Sequence, residues 1–287
     1  MAAQDKKLKT MSTKHRADQI LLHAVLILIA VLVISPLLLL VFNSFKNNNE
    51  ILNNPTALPT SFTLQYIVKA MNEINFWRSL GVTFIVTFFS VALLVLVSSF
   101  AAWGMTRAKS KLSDFMYLCF TAAMLIPFQS LMYPLVSIAE KAGAKNIPGL
   151  IFMYGGFGIS MSIFLYHGFF KNVPISLEES AMLDGANIFE MFFKVVMPLM
   201  KSTTVTVIVI NAMWIWNDYL LPYLVIGLST SYKTIPVAVQ YLVGSYGAKD
   251  MGAMMAILVM SIVPIIIFYL ACQKYIIEGV VAGAVKG

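Results

Sequence analysis

The chain has 287 residues, of which 59% are hydrophobic and only 11% charged, with a formal net charge of +7 and a mean hydropathy of +0.82. A soluble domain carries about 25% charged residues, so this composition excludes an ordinary water-soluble globule and indicates an all-α integral membrane protein. The positive charge calls for no nucleic acid, because a cytoplasmic excess of Lys and Arg is what membrane topology imposes, with anionic membrane lipid as its partner.

Crossing a hydrocarbon core takes roughly 20 apolar residues in a helix, and six runs qualify, near 20–42, 80–103, 115–138, 149–170, 202–228 and 253–277. Residues 1–19 form a basic tail containing Lys6, Lys7, Lys9, Lys14 and Arg16. The run from Ile20 to Phe42 that follows is too long for a signal-peptide core and ends in VFNSFKNNN, without a small-residue cleavage pattern. It reads as a retained anchor, and residues 20–287 read as one transmembrane domain.

The loop 43–79 is rich in Asn and Pro and is expected to hold limited regular structure. Placing the N-terminus in the cytoplasm puts 13 of the 20 Lys and Arg residues inside, including Arg107, Lys109, Lys111, Lys171, Lys194 and Lys201. With six spans, both termini are then cytoplasmic. Pro36, Pro127, Pro134, Pro222 and Pro264 lie in apolar spans, where each removes a backbone donor and bends a helix. Cys119 and Cys272 fall in apolar runs and act as small hydrophobes, with neither disulfide nor metal-ligand spacing. His15, His23 and His167 are scattered and read as packing or interfacial residues. In YGGFGISM, Gly155, Gly156 and Gly158 permit close helix approach.

Between the fourth and fifth spans lies the compact acidic segment SLEESAMLDGAN, within the loop 171–201. Ser176 and Glu179 have capping-box spacing, Pro174 resists continuation of the preceding span, and Gly185 suits a helix C-terminus. Asn187 and Glu190 repeat the capping spacing. The loop is thus expected to be a cytoplasmic helix–turn–helix. A protein-docking knob and an interfacial connector lying on headgroups both remain open, although four acids suit anionic lipid poorly. Within the fifth span, Asn211, Asn217 and Asp218 are polar at membrane depth. They read either as a translocation pathway or as helix glue and interfacial anchors beside Trp214 and Trp216.

The segment ESAMLDGANIFEMFFKVVMP, from Glu179 to Pro198, resembles the cytoplasmic EAA signature of permease subunits in binding-protein-dependent ABC importers. The spacing is kept at Glu179, Ser180, Ala181, Gly185, Val195, Met197 and Pro198, with Ser180, Val195 and Met197 departing conservatively from Ala, Ile and Leu. IPFQSLMYPL (126–135), WIWNDYLLP (214–222), TIPVAVQYLVGSYG (234–247) and KYIIEGVVAGAVKG (274–287) are similar to the carbohydrate branch, notably the shorter permease, or G subunit, of maltose-type importers.

The resemblance implies that the loop is a coupling helix seated on a cytoplasmic ATPase, with Glu179, Ser180, Ala181, Asp184, Gly185 and Pro198 as coupling residues. It also implies that the tail Val285, Lys286 and Gly287 reaches the ATPase dimer, with an ordinary frayed end as the alternative. A second, related permease, two ATP-binding subunits and an extracytoplasmic solute-binding protein are the implied partners, in a bacterial or archaeal cell membrane. No G-x-x-x-x-G-K-[ST] phosphate loop occurs, so ATP and Mg are expected on the partner ATPase, with no cofactor and no bond chemistry in this chain. The expected function is carbohydrate translocation. The alternatives are an ion-coupled secondary transporter, for which Asp218 is the only convincing coupling group, and an ABC permease for a non-sugar solute.

Overall fold

The computed structural model describes residues 2–246 and 250–284, with side chains over 18–241 and 250–274. Among the described residues every regular element is helical. Two compact units are distinguishable, one made of 1–71 with 243–260 and the other of 72–242 with 261–287.

The first unit contains α1 (Ala2–Asn43), whose apolar length from Asp18 to Asn43 has none of its most hydrophobic window buried by protein. A helix apolar on every side fits a membrane span. The loop after it holds more structure than its Asn and Pro content leads one to expect, namely α2 (Asn48–Asn53) and α3 (Gln65–Glu73). The asparagines explain the difference. Asn47 caps α2 by accepting the Glu50 amide at 2.9 Å, while its own amide donates to the Glu50 carboxylate at 3.3 Å. Lys46, 1% exposed, donates to the carbonyls of Asn54 and Pro55 at 3.0 and 3.4 Å, which offsets the cost of burying its charge. Asp250 pairs with Lys69 and caps the start of α14 (Met251–Ala284) by accepting the Ala253 amide at 2.9 Å.

The second unit is built around α4 (Phe76–Ala108) and α7 (Ile147–Phe170). Between them run α5 (Lys111–Ala123) and α6 (Phe128–Lys141). After α7 come α8 (Ser176–Leu183), α9 (Ile188–Glu190), α10 (Met197–Leu199) and α11 (Lys201–Asn217), then α12 (Leu220–Pro222) and α13 (Ile235–Tyr246). One core gathers Val82, Val86, Leu94, Leu150, Tyr154 and Ile215. A second gathers Trp103, Ile163, Tyr166, Phe170, Phe192 and Val207.

Of the six expected spans, four are continuous: Asp18–Asn43, Phe76–Ala108, Ile147–Phe170 and Met251–Lys274. The other two are broken. The run expected at 115–138 is α5 and α6, bent by 100°; Pro127, with ψ 139 at the α6 N-cap, pushes the residue before it out of helical geometry. The run expected at 202–228 stops at Asn217, where Asp218 turns extended at ψ 129. The stretch ahead of it, Ile188–Leu199, meets α11 at 80°.

Small residues set the closest helix approaches. A methyl group on Gly158 would lie 2.6 Å from Leu94 Cδ1 on α4 and 2.8 Å from Asn211 Oδ1 on α11, whereas one on Gly156 would meet nothing within 4 Å. Gly158→Val is therefore expected to destabilise the folded chain by about 1–3 kcal/mol through overpacking, read as a lower melting temperature in detergent. Gly156→Ala, measured alongside, should not lower it, since nothing lies within 4 Å and alanine suits a helix interior better than glycine.

Candidate functional site

The acidic loop grows from the end of α7. Pro174 and Ile175 supply the first turn of α8: the Ile175 carbonyl accepts the amides of Glu178 and Glu179 at 2.9 and 3.0 Å. The expected cap at Ser176 is thereby displaced. Proline's fixed φ suits the first helical turn, so the helix begins upstream, and the Ser176 side chain makes no capping bond. Ser180 instead donates its hydroxyl to the Ser176 carbonyl at 2.9 Å.

Gly185 adopts φ +84, the left-handed conformation that glycine reaches without steric cost. The turn closes with the Gly185 amide on the Met182 carbonyl and the Ala186 amide on that of Ala181, both at 3.0 Å. Asn187 then caps the second helix as its spacing predicts. Its side chain accepts the amides of Phe189 and Glu190 at 3.0 Å, and its amide donates to Glu190 Oε2 at 3.2 Å. Beyond α9 the chain takes a π-helical turn, Met191–Val196, which buries Met191, Phe192 and Val196. Pro198 stands in α10, just before the bend into α11.

The anchor of this loop is Glu178, which the sequence does not single out. It is 3% exposed. One carboxylate oxygen accepts Arg107 Nε at 2.9 Å and Arg107 Nη2 at 2.6 Å, and the other accepts Trp103 Nε1 at 3.0 Å. Arg107 Nη2 also donates to the Val173 carbonyl at 3.0 Å. The last turns of α4 are thus bonded to both the start and the first turn of the loop. Aromatic packing continues the attachment, with the Phe192 ring centroid 4.3 Å from Phe100 and 5.5 Å from Trp103.

Glu179, Ser180, Asp184 and Gly185 are exposed, and Ala181 is half-buried. Around them lie the exposed apolar side chains of Met182, Leu183, Ile188 and Phe189, with Leu183 at 89% exposure. The loop therefore has a fixed base and a bare apolar tip. Two residues in the sequence suggest that base, an Arg at the end of one span and a Trp four positions earlier. Nothing local tells which acid they meet.

The polar residues of the fifth span do not converge on one point. Asn211 is buried and donates to Ser162 Oγ at 3.1 Å and to the Val207 carbonyl at 2.9 Å, binding α11 to α7. Asn217 is exposed and donates to the Met213 carbonyl at 2.7 Å. Asp218 accepts the Tyr154 hydroxyl at 2.9 Å and the Leu220 amide at 3.0 Å, so it caps the helix that restarts after the break. Val285, Lys286 and Gly287 lie outside the described residues.

Residues 94–281 match the family model described as binding-protein-dependent transport system inner membrane component. The chain is 41% identical over 260 residues to a probable starch degradation products transport system permease protein, AmyC, of Thermoanaerobacterium thermosulfurigenes, covering 91% of this chain and 94% of that one. It is 35% identical over 262 residues to the multiple sugar-binding transport system permease protein MsmG of Streptococcus mutans, covering 89% and 93%. Its fold matches that of a chain in the crystal structure of a bacterial ABC transporter involved in the import of the acidic polysaccharide alginate. The TM-score is 0.78, with 22% identity over 91% of this chain and 96% of that one.

Removing one partner from a buried ion pair leaves the other charge uncompensated, so Glu178→Ala is expected to cost about 3–5 kcal/mol. The measurement is protease sensitivity of the loop together with melting in detergent. Replacing both members, Arg107→Met with Glu178→Leu, should recover much of the loss, since neither charge is then stranded.

Proposed function

The chain belongs to the family of binding-protein-dependent transport system inner membrane components, and we propose that it is the membrane-embedded permease of an ABC importer for carbohydrate. As a permease it is a multi-pass membrane subunit that does not itself catalyse. The sugar assignment rests on the relatives, whose names specify starch degradation products and multiple sugars. Its physical support in the chain is the loop between α7 and α11.

One observation carries the mechanism: the loop is rigidly held at its base and bare at its tip. The Arg107–Glu178 pair ties α8 to α4, and α4 is 33 residues long. A push on Glu179, Ala181, Asp184 and Gly185 is then passed to a helix that spans the bilayer, rather than lost in a flexible connector. Met182, Leu183, Ile188 and Phe189 give a partner protein an apolar surface to cover. The proposed partner is an ATP-binding subunit, which carries ATP and Mg. Two such subunits, a second related permease and an extracytoplasmic solute-binding protein complete the assembly, with both termini of this chain in the cytoplasm of a bacterium or archaeon.

The working cycle follows from these parts. Closure of the ATPase pair moves the loop, α4 carries the motion, and the broken helices at Pro127, Met200 and Asp218 are the places where neighbouring segments reorient. Hydrolysis resets the loop. A gradient-driven transporter would need a free intramembrane carboxylate for its ion, and the Asp218 carboxylate already accepts Tyr154 and Leu220.

Gly185→Ala places a side chain at φ +84, where an L-residue costs roughly 1–2 kcal/mol, and the larger, charged Gly185→Asp also alters the docking tip. Both are expected to insert normally. Gly185→Asp should abolish ATP-driven sugar uptake in proteoliposomes while the ATPase subunits still hydrolyse, and normal uptake by this variant would disprove the coupling role. Purification of the full chain in mild detergent should recover a second permease and ATPase subunits with it.

A further inference from the structure

The loop between α1 and α4 holds a polar cavity that the coupling mechanism leaves unused. It measures about 340 Å³, within the roughly 300–1,000 Å³ of small-molecule sites. Lys46, Asn49, Glu50, Asn53, Asn54 and Leu58 are among the residues that line it. Six asparagines fall between positions 43 and 54, and three of them have structural duties. Asn43 donates to the Pro55 carbonyl at 3.0 Å, Asn47 caps α2, and Asn48 accepts the Met251 amide at 2.8 Å. The side chains of Asn49, Asn53 and Asn54 make no hydrogen bond among the described residues, and all three line the cavity. Asn49 and Asn53 stand one turn apart on the same face of α2.

Two buried polar groups beside the cavity are unmet. Lys46 is buried, and an ammonium carries three N–H donors. The Asn54 and Pro55 carbonyls take two, and the third has no acceptor among the described residues. Asn43 Oδ1 is buried without a partner, on the side chain that shares the Pro55 carbonyl with Lys46. Buried polar groups in folded proteins are nearly always bonded, so a donor and an acceptor left over here point to a group from outside the chain. The wall itself is firmly held. A methyl group on Gly252 would lie 2.4 Å from the Lys46 carbonyl, next to the bond that joins Asn48 to Met251. Because the site is formed beforehand, binding requires little ordering.

The lining selects the class of ligand. Lys46 and Glu50 set one positive and one negative charge around the cavity. The Thr60 hydroxyl, bonded to the Glu50 carboxylate, holds that carboxyl below its ordinary value. Opposite charges that balance favour neither a metal cation nor a lone anion. Amides offer donors and acceptors side by side, as paired hydroxyl groups require, while Ala57 and Leu58 give an apolar wall for C–H groups. We infer that this cavity is a saccharide subsite on the outer loop, holding one sugar unit of a neutral oligosaccharide before it enters the membrane-spanning part. The inference rests on the reading of the chain as a carbohydrate permease with its N-terminus in the cytoplasm, and adds a binding site to it.

The test is hydrogen–deuterium exchange of the assembled importer in lipid nanodiscs, free of sugar-headed detergent. Maltotriose and raffinose are the added sugars, with glycerol at equal hydroxyl concentration as the control, and uptake of the same sugars is measured in proteoliposomes. The sugars are expected to slow exchange of the amides in 46–60 about twofold or more, and glycerol to leave them unchanged. Ala57→Trp fills the cavity from an exposed position, and Asn49→Ala with Asn53→Ala removes two amides that support nothing else. Each variant should raise the sugar concentration for half-maximal protection about tenfold without lowering the melting temperature of the complex. No protection at 46–60 in a complex that transports the sugars, equal protection by glycerol, or undiminished protection in both variants would each overturn the subsite and leave the permease reading intact. If the complex neither transports nor binds either sugar, the carbohydrate reading and the subsite fail together.

Discussion

A carboxylate and a guanidinium withdrawn from water must find each other, and most of the loop's architecture follows from that need at Glu178 and Arg107. The effective penalty for burying each ion is several kcal/mol. It is offset here by two nitrogen contacts from one guanidinium, at 2.9 and 2.6 Å, with the Trp103 indole on the second carboxylate oxygen at 3.0 Å. Because Arg107 also holds the Val173 carbonyl, the loop cannot part from α4 without stranding a charge and a backbone acceptor at once. Packing of the Phe192 ring, tilted against those of Trp103 and Phe100, adds apolar burial to the same joint. The rest of the loop is then free to expose apolar residues, Met182, Leu183, Ile188 and Phe189 among them, since its own stability comes from the base.

Rigidity at this joint contrasts with the breaks elsewhere in the second unit. At Pro127, Met200 and Asp218 the helical ladder is interrupted, and each interruption has a local cause. Pro127 forces its predecessor out of helical geometry. Pro198 lacks the donor that would bond back to Lys194, and Met200 itself leaves helical geometry at ψ 7. At Asp218 the side chain takes over a backbone task by accepting the Leu220 amide, which lets a new helix start within the apolar region. Stiff long helices joined by such breaks can change relative angle without unfolding, which is what an importer that opens alternately to each side requires.

How much of this was legible in the residues differs from element to element. The cap at Asn187 and Glu190 and the left-handed turn at Gly185 depend on neighbours within four positions, and both occur as their spacing predicts. Ser176 and Glu179 have the same spacing and form no cap, because Pro174 two residues earlier already fits the first helical turn. The apolar runs at 115–138 and 202–228 are long enough to cross a bilayer. Hydropathy cannot register a 100° bend, since composition on either side of it is equally apolar.

The sequence by itself determined that the chain lives in a bilayer, where its four long apolar helices fall, which family it resembles and where a helix–turn–helix interrupts the apolar pattern. All of these depend on composition or on short-range spacing. Only the tertiary structure decided which acid of the loop is buried, that Asn211 joins α11 to α7 through Ser162, and that Asp218 is held by Tyr154. The physical reason is separation along the chain. Arg107 and Glu178 stand 71 residues apart, and a partner at that distance is chosen by how helices pack.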